Sequence, residues 1–268
     1  MEGGATMTVE YYQRVLLSEQ ERAWVSSCGA GLWIETYRRR DEIELVRKLV
    51  KSYLSGKSPT YVLGSDCNAI ELINWFLDVL VEMPIMEVVL LVRDVDYVLK
   101  ESVENVPQIS SYEISTDAIL KLLAASERNM DFEEIGYHLN PNGKNASKVA
   151  RLKYGENCSK FAALLDLVEI KRTDGVSLTN VGKVLSVRKD CSDIYPKLFF
   201  RLALFRDFIC CSSELHRNKF LATIESLSES TKVRRASAFS VMFSEFCRAG
   251  GEVEDETYIN KLLWNMRR

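Results

Sequence analysis

Residues 153–187, KYGENCSKFAALLDLVEIKRTDGVSLTNVGKVLSV, constrain the fold more than any other stretch. A helical apolar pattern ends at LLDL, with Phe161, Leu164 and Leu165 facing inward. Two short strand-like runs, VEIK and VSL, then flank RTDG, whose Asp-Gly pair favours a hairpin turn. TNVGKVLSV resumes a helix with Thr179 as its cap. Two helices precede this stretch. STDAILKLLAAS places Ile119, Leu120 and Leu123 on one face and offers Ser115 or Thr116 as cap, and DFEEIGYHLN starts at Asp131 and ends before the turn signal NPNG. KNASKVARLKYG, polar and basic, reads as a helical insertion before the third helix, ENCSKFAALLDL.

The first hundred residues read as α/β. DEIELVRKLVKSYLS (41–55) sets Ile43, Val46, Leu49, Val50 and Leu54 on one helical face. TYVLG (60–64) is strand-like, and CNAIELINWFLDVLVEM is a helix that Asp66 caps. IMEVVLLVRDV (85–95) has the composition of a buried strand, and a further helix is expected near 96–103. Strand, helix and strand in this order imply a small parallel sheet covered by helices. NVPQISSYEIS (105–115) reads as a linker, with a boundary near residue 110.

Three helices followed by a two-stranded hairpin is the order of a winged helix. The stretch LLDLVEI, a hairpin and LTNVGKVL resembles the close of many such domains, where a helix ending in Leu-x-Leu-Val leads into the wing and a Leu-Thr-x-x-Gly helix follows. The last part repeats the pattern: IYPKLFFRLALFRDFI (194–209), SSELHRNKF (212–220) and SESTKVRRASAFSVMFSEFCRAGGEV (228–253) take the places of the three helices, the last running into a possible wing. The expected fold class is α+β, with a small α/β domain over 1–110 and winged helices over 111–190 and 191–268. KYGENCSKFAALLDLVEI, VSLTNVGKVL and STKVRRASAFSVMFSEF together resemble the tandem winged-helix recognition modules of type IIS restriction endonucleases, related nicking enzymes and bacterial defence proteins. The resemblance covers residues 113–268. It implies duplex binding by the two third helices, and it departs from the restriction enzymes in lacking their separate nuclease domain.

In a helix-turn-helix the third helix enters the major groove and its N-terminal residues meet base edges. The first unit places Lys153, Tyr154, Asn157, Ser159 and Lys160 there, with side chains suited to guanine, adenine or phosphate. Lys171 and Arg172 fall at the wing tip, and Lys144, Lys148 and Arg151 share a helical face suited to the phosphate backbone. In the second unit Ser230, Thr231, Lys232, Arg234, Arg235 and Ser237 open a helix, whose dipole and free amides also favour phosphate.

Charge supports this division. Residues 1–110 hold 11 Lys+Arg against 17 Asp+Glu, whereas residues 111–268 hold 24 against 21, so the net charge of −3 conceals a basic C-terminal part. A catalytic centre is not legible. Glu169-Ile170-Lys171 is the sole Glu/Asp-x-Lys and lies in the wing; His138 and His216 stand alone as surface or partly buried helix residues. Neither GxxxxGK[ST] nor GxGxxG occurs, Ser65 and Cys67 in VLGSDCNA read as a turn, and no cofactor or metal is expected. Seven scattered cysteines, no apolar leader and no membrane span point to a reduced cytoplasmic chain.

The expected function is a double-stranded DNA-binding component of a bacterial restriction or defence complex, not an enzyme, with residues 1–110 meeting a protein partner or a second copy. The rivals are a transcription regulator with an N-terminal sensing domain, a winged-helix scaffold for other proteins, and an enzyme whose active site lies in residues 1–110.

Overall fold

The computed structural model describes residues 40–57, 70–95, 112–143, 145–171, 173–189 and 191–267. They are mostly helical with one two-stranded sheet, broadly α+β, and divide into two compact units between residues 99 and 100.

The first unit contains α1 (Arg40–Leu54), α2 (Ile70–Glu82) and α3 (Ile85–Val92). Leu49, Val50 and Leu54 of α1 are buried as their spacing predicts, and Tyr53 meets Phe76 of α2 edge to face at 5.0 Å. The Arg47 guanidinium donates to Glu87 at 2.9 Å, tying α1 to α3. The run 85–95, expected as a buried strand, is helical over Ile85–Val92. Its buried residues Ile85, Val88, Val89 and Val92 follow helical spacing, while Leu90 is exposed. A continuous apolar run hides that period, because the outer positions are apolar too. The strand expected at 60–64, the Asp66 cap and the helix near 96–103 lie outside the described residues.

In the second unit a π-helical turn, Ile114–Ala118, leads into α4 (Ile119–Ser126). Ser115 and Thr116 are buried within that turn rather than capping the helix, and the Thr116 hydroxyl donates to the Tyr112 carbonyl at 2.8 Å. Ile119, Leu120 and Leu123 form the inner face of α4 as expected. Asp131 starts α5 (Phe132–Leu139) with a full capping box. Its carboxylate accepts from the Glu134 amide at 2.8 Å, and the Glu134 carboxylate accepts from the Asp131 amide at 3.2 Å.

The polar "insertion" and the expected third helix are one helix, α6 (Lys148–Leu164), capped by Ser147. Gly155, at the junction of the two expected segments, lies where α5 crosses. A methyl group there would overlap the Phe132 carbonyl, and one at Gly136 would overlap that of Arg151. These two glycines let the backbones touch and fix α6 against α5. Of the inward residues expected, Phe161 and Leu165 are buried and Leu164 is half-buried.

Strands β1 (Val168–Lys171) and β2 (Gly175–Leu178) pair antiparallel, with Val168 opposite Leu178 and Lys171 opposite Gly175. Gly175 has φ +82°, the turn conformation that favours glycine. Met130, between α4 and α5, exchanges two backbone hydrogen bonds with Val176, at 3.1 and 2.8 Å, and so anchors the hairpin to the helices. Thr179 caps α7 (Asn180–Leu185), accepting from the Gly182 amide at 2.9 Å and donating to the Asp166 carbonyl at 2.6 Å.

The expected first helix at 194–209 is divided into α8 (Cys191–Leu198), a 3-10 turn (Phe199–Arg201) and α9 (Ala203–Ile209), with Leu202 extended between them. Then come α10 (Glu214–Glu225), α11 (Glu229–Arg248) and α12 (Glu256–Met266). Where a second wing was expected, no strand follows α11 among the described residues. Asp255 caps α12 instead, and Ile259, Leu262, Leu263 and Met266 bury one helical face. Phenylalanines 199, 200, 205, 208, 220, 239 and 246 form an aromatic core with largely edge-on and tilted contacts. This core extends across residue 190: Phe161 packs near Phe199, and the Tyr195 hydroxyl donates to Asp117 at 2.6 Å. The two halves of the unit are therefore joined by a shared interior.

Candidate nucleic-acid interface

Helix α6 carries the densest set of exposed cations expected from the sequence. With its inner side held by Gly155, Cys158, Phe161 and Ala162, positions 149, 152, 153 and 160 face solvent. Each cation is held by a carboxylate. Glu133 of α5 accepts from Arg151 at 2.8 Å and pairs with Lys148 at 3.3 Å. Glu156 accepts from Lys160 at 2.7 Å and lies 3.6 Å from Lys153. One carboxylate thus serves two cations in both places, and each group keeps an excess positive charge. The Arg151 hydrogen bond, foremost, holds Glu133 below the ordinary carboxylate range, and the Lys160 hydrogen bond does the same for Glu156. Arg151 is further fixed by donating to the Ala146 carbonyl and by stacking over the Tyr137 ring. Sequence reading missed Glu133 and Glu156, although Lys153–Glu156 and Glu156–Lys160 have the helical spacing that brings such pairs together. It also missed the exposure of Val149 (77%) and Leu152 (42%) beside the cations.

The remaining candidates are scattered. Tyr154 and Asn157 are half-buried, and Ser159 is wholly buried (0% exposed), on the inner face of α6 with its hydroxyl unpartnered. Lys144 and Arg172 lie outside the described residues. Lys171 is exposed near the hairpin tip and bonded to Glu169 at 2.8 Å, which its partner lowers in pKa. Glu169 is also hydrogen-bonded by Ser177 across the ladder, so it belongs to the strand surface. Beside the hairpin an open cleft of about 540 Å³ mixes Arg128, Lys171 and Lys183 with Glu127 and Glu169.

At the start of α11 the expected row of outward cations is not continuous. Thr231 contacts the Ser228 hydroxyl at 2.9 Å, and Lys232 donates to Glu229 at 2.8 Å. Arg234 is exposed, whereas Arg235 is only 5% exposed and cannot read bases from this position. The helical period explains this: Phe239 and Met242 lie four and seven residues further on, on the core face. His138 is exposed on α5. His216, expected at or near the surface, is buried with Nδ1 2.7 Å from Asp207, which also accepts from Arg206.

Among the described residues, no cluster of three or more His, Cys, Asp or Glu is placed to hold a metal ion, and no helix is long and apolar enough to cross a membrane. Compared with models of protein families, with curated proteins and with solved structures, the chain matches none.

Proposed function

We propose that residues 112–189 form a winged helix that binds double-stranded DNA, and that the chain is the DNA-binding component of a bacterial restriction or defence complex. In this reading α6 is the recognition helix and the β1–β2 hairpin is the wing. Residues 1–110 meet a partner chain or a second copy. The observation that carries the proposal is the exposed face of α6: Lys148, Lys153 and Lys160 all point outward on a helix whose opposite face is fixed by backbone contact with α5. The order α4, α5, α6, hairpin and the tie from Met130 to β2 support it. Exposed ion pairs hold weakly and are screened by salt, so phosphate oxygens can replace Glu133 and Glu156 as partners of these cations. The restriction or defence setting rests on the sequence resemblance.

The test is fluorescence anisotropy of short duplexes across a salt series, with the full chain and a K148A/K153A/K160A variant. Each phosphate contact contributes about 0.9 to the slope of log affinity against log salt, so the variant loses about 2–3 from that slope. Absent binding at low salt, or an unchanged slope, sinks the DNA reading. A second reading, a winged-helix scaffold for other proteins, is favoured by the exposure of Val149 and Leu152 on the same face. V149S/L152S would then abolish partner binding while the lysine variant retained it.

A further inference from the structure

The start of α11 holds two arginines for which none of the described residues supplies a carboxylate. Arg235 is 95% buried, and its Nε and Nη1 atoms have no hydrogen-bond partner. A buried guanidinium normally sits against a carboxylate or several carbonyls, because an unpaired buried charge is costly. Here no ion pair compensates it. Burial first, and the neighbouring Arg234 charge second, lower the Arg235 pKa to about 10. Arg234 also lacks an ion pair: its guanidinium folds back along the first turn to the Ser230 carbonyl at 3.1 Å and the Thr231 hydroxyl at 3.4 Å.

Helical side chains lean toward the N-terminus, and Arg235 stands four residues after Thr231 and seven after Ser228, in the same helical row above that opening turn. That turn opens a helix of 20 residues, and its Ser228 caps no backbone amide. Ser228 instead faces the hydroxyls of Ser230 and Thr231, at 3.4 and 2.9 Å. Glu229, the carboxylate of this turn, is occupied by Lys232 and largely exposed. Two arginines, three hydroxyls and the positive end of a long helix thus share the opening of α11, where the Glu229 carboxylate is already paired with Lys232. Several donors in different directions suit an oxyanion with several acceptor oxygens.

We propose that Arg235 and Arg234, with the first turn of α11, bind a phosphate group. This site does not rest on the DNA reading of α6, because either a free phosphate or a backbone phosphate supplies the same chemistry.

The test is a titration of the full chain with inorganic phosphate at constant ionic strength, read by ¹⁵N NMR of the arginine Nε–H signals and by thermal unfolding. The R235M spectrum identifies the Arg235 signal. That signal shifts saturably in the wild type, and Tm rises by about 3–6 °C at ten times the dissociation constant. Phosphate also stabilises proteins generally through exclusion from their surfaces, and the variants share that effect. The site-specific increment is therefore what R235M removes and what R234A weakens at least fivefold. No saturable shift, or an equal Tm rise in wild type and R235M, overturns the proposal. If R235M fails to fold, the wild-type NMR titration and the exposed R234A variant decide the question. A short duplex that displaces phosphate assigns the ligand to nucleic-acid backbone, and one that binds alongside it assigns a free phosphate; both outcomes uphold the site.

Discussion

The openings of α6 and α11 read alike, KVARLK against TKVRRAS, yet their cations meet different surroundings. In α6, Lys148, Lys153 and Lys160 fall outside the inner stripe and are exposed, each sharing a carboxylate. In α11, Arg235 occupies a core position and meets no carboxylate among the described residues. A basic helix start is thus not one kind of feature. Its phase against the apolar stripe decides whether the charge is presented to solvent or buried, and only the presented kind is available to a duplex without rearrangement.

The largest expected effect comes from removing the presented charges. K148A/K153A/K160A lowers duplex affinity about 100-fold at low salt, whereas R234A lowers it no more than about threefold; equal losses in an anisotropy series would break the contrast between the helices. Next in size is the seat of α6. G155A forces a methyl group onto the Phe132 carbonyl and costs about 2–3 kcal/mol in urea unfolding, while G250A, at φ +82° with open space around it, costs about 1 kcal/mol. In phosphate-free buffer, R235M raises stability by about 1–2 kcal/mol, because an apolar side chain replaces an unpaired buried charge; a large loss would show that Arg235 has a structural partner. E156Q releases Lys153 and Lys160 and strengthens duplex binding about threefold, measured in the same anisotropy assay.

The smallest effect is that of pH. Glu133 and Glu156 have folded pKa values below the ordinary 4.5, so their stabilising contribution is present above that value and lost as pH falls through the lower folded values. Both remain ionised above the ordinary value. The affinity for duplex through α6 is therefore flat from about pH 8 to pH 5.5 and rises only in more acidic buffer, provided the fold persists. A rise already near pH 6 would mean that a group other than these carboxylates controls the face.

Much of the local structure was readable. Asp131 and Thr179 cap as their side chains dictate, the Asp-Gly turn joins two strands, and Ile119, Leu120 and Leu123 point inward. The failures have physical causes. Residues 88–92, VVLLV, are wholly apolar and include the exposed Leu90, which erases the period that distinguishes a helix from a strand. The polar, basic composition of KNASKVARLKYG made it read as an insertion, yet it continues into α6, with Gly155 letting the α5 backbone into the space of a missing side chain. α12 was legible in the spacing of Ile259, Leu262, Leu263 and Met266, but the analogy with the first hairpin obscured it. The burial of Arg235 was also legible, since it stands four and seven residues before Phe239 and Met242.

The sequence by itself determined the Asp131 and Thr179 caps, the hairpin, the basic bias of the C-terminal part and several helical faces, because these depend on residues within a few positions of one another. Tertiary structure decided that α6 is continuous, that Glu133 restrains Lys148 and Arg151, and that the two halves of the second unit share the Phe161–Phe199 interior. Those outcomes depend on contacts between residues distant in the chain. Backbone proximity can outweigh a glycine's weak propensity, and a carboxylate from another helix can hold a cation that local sequence leaves free.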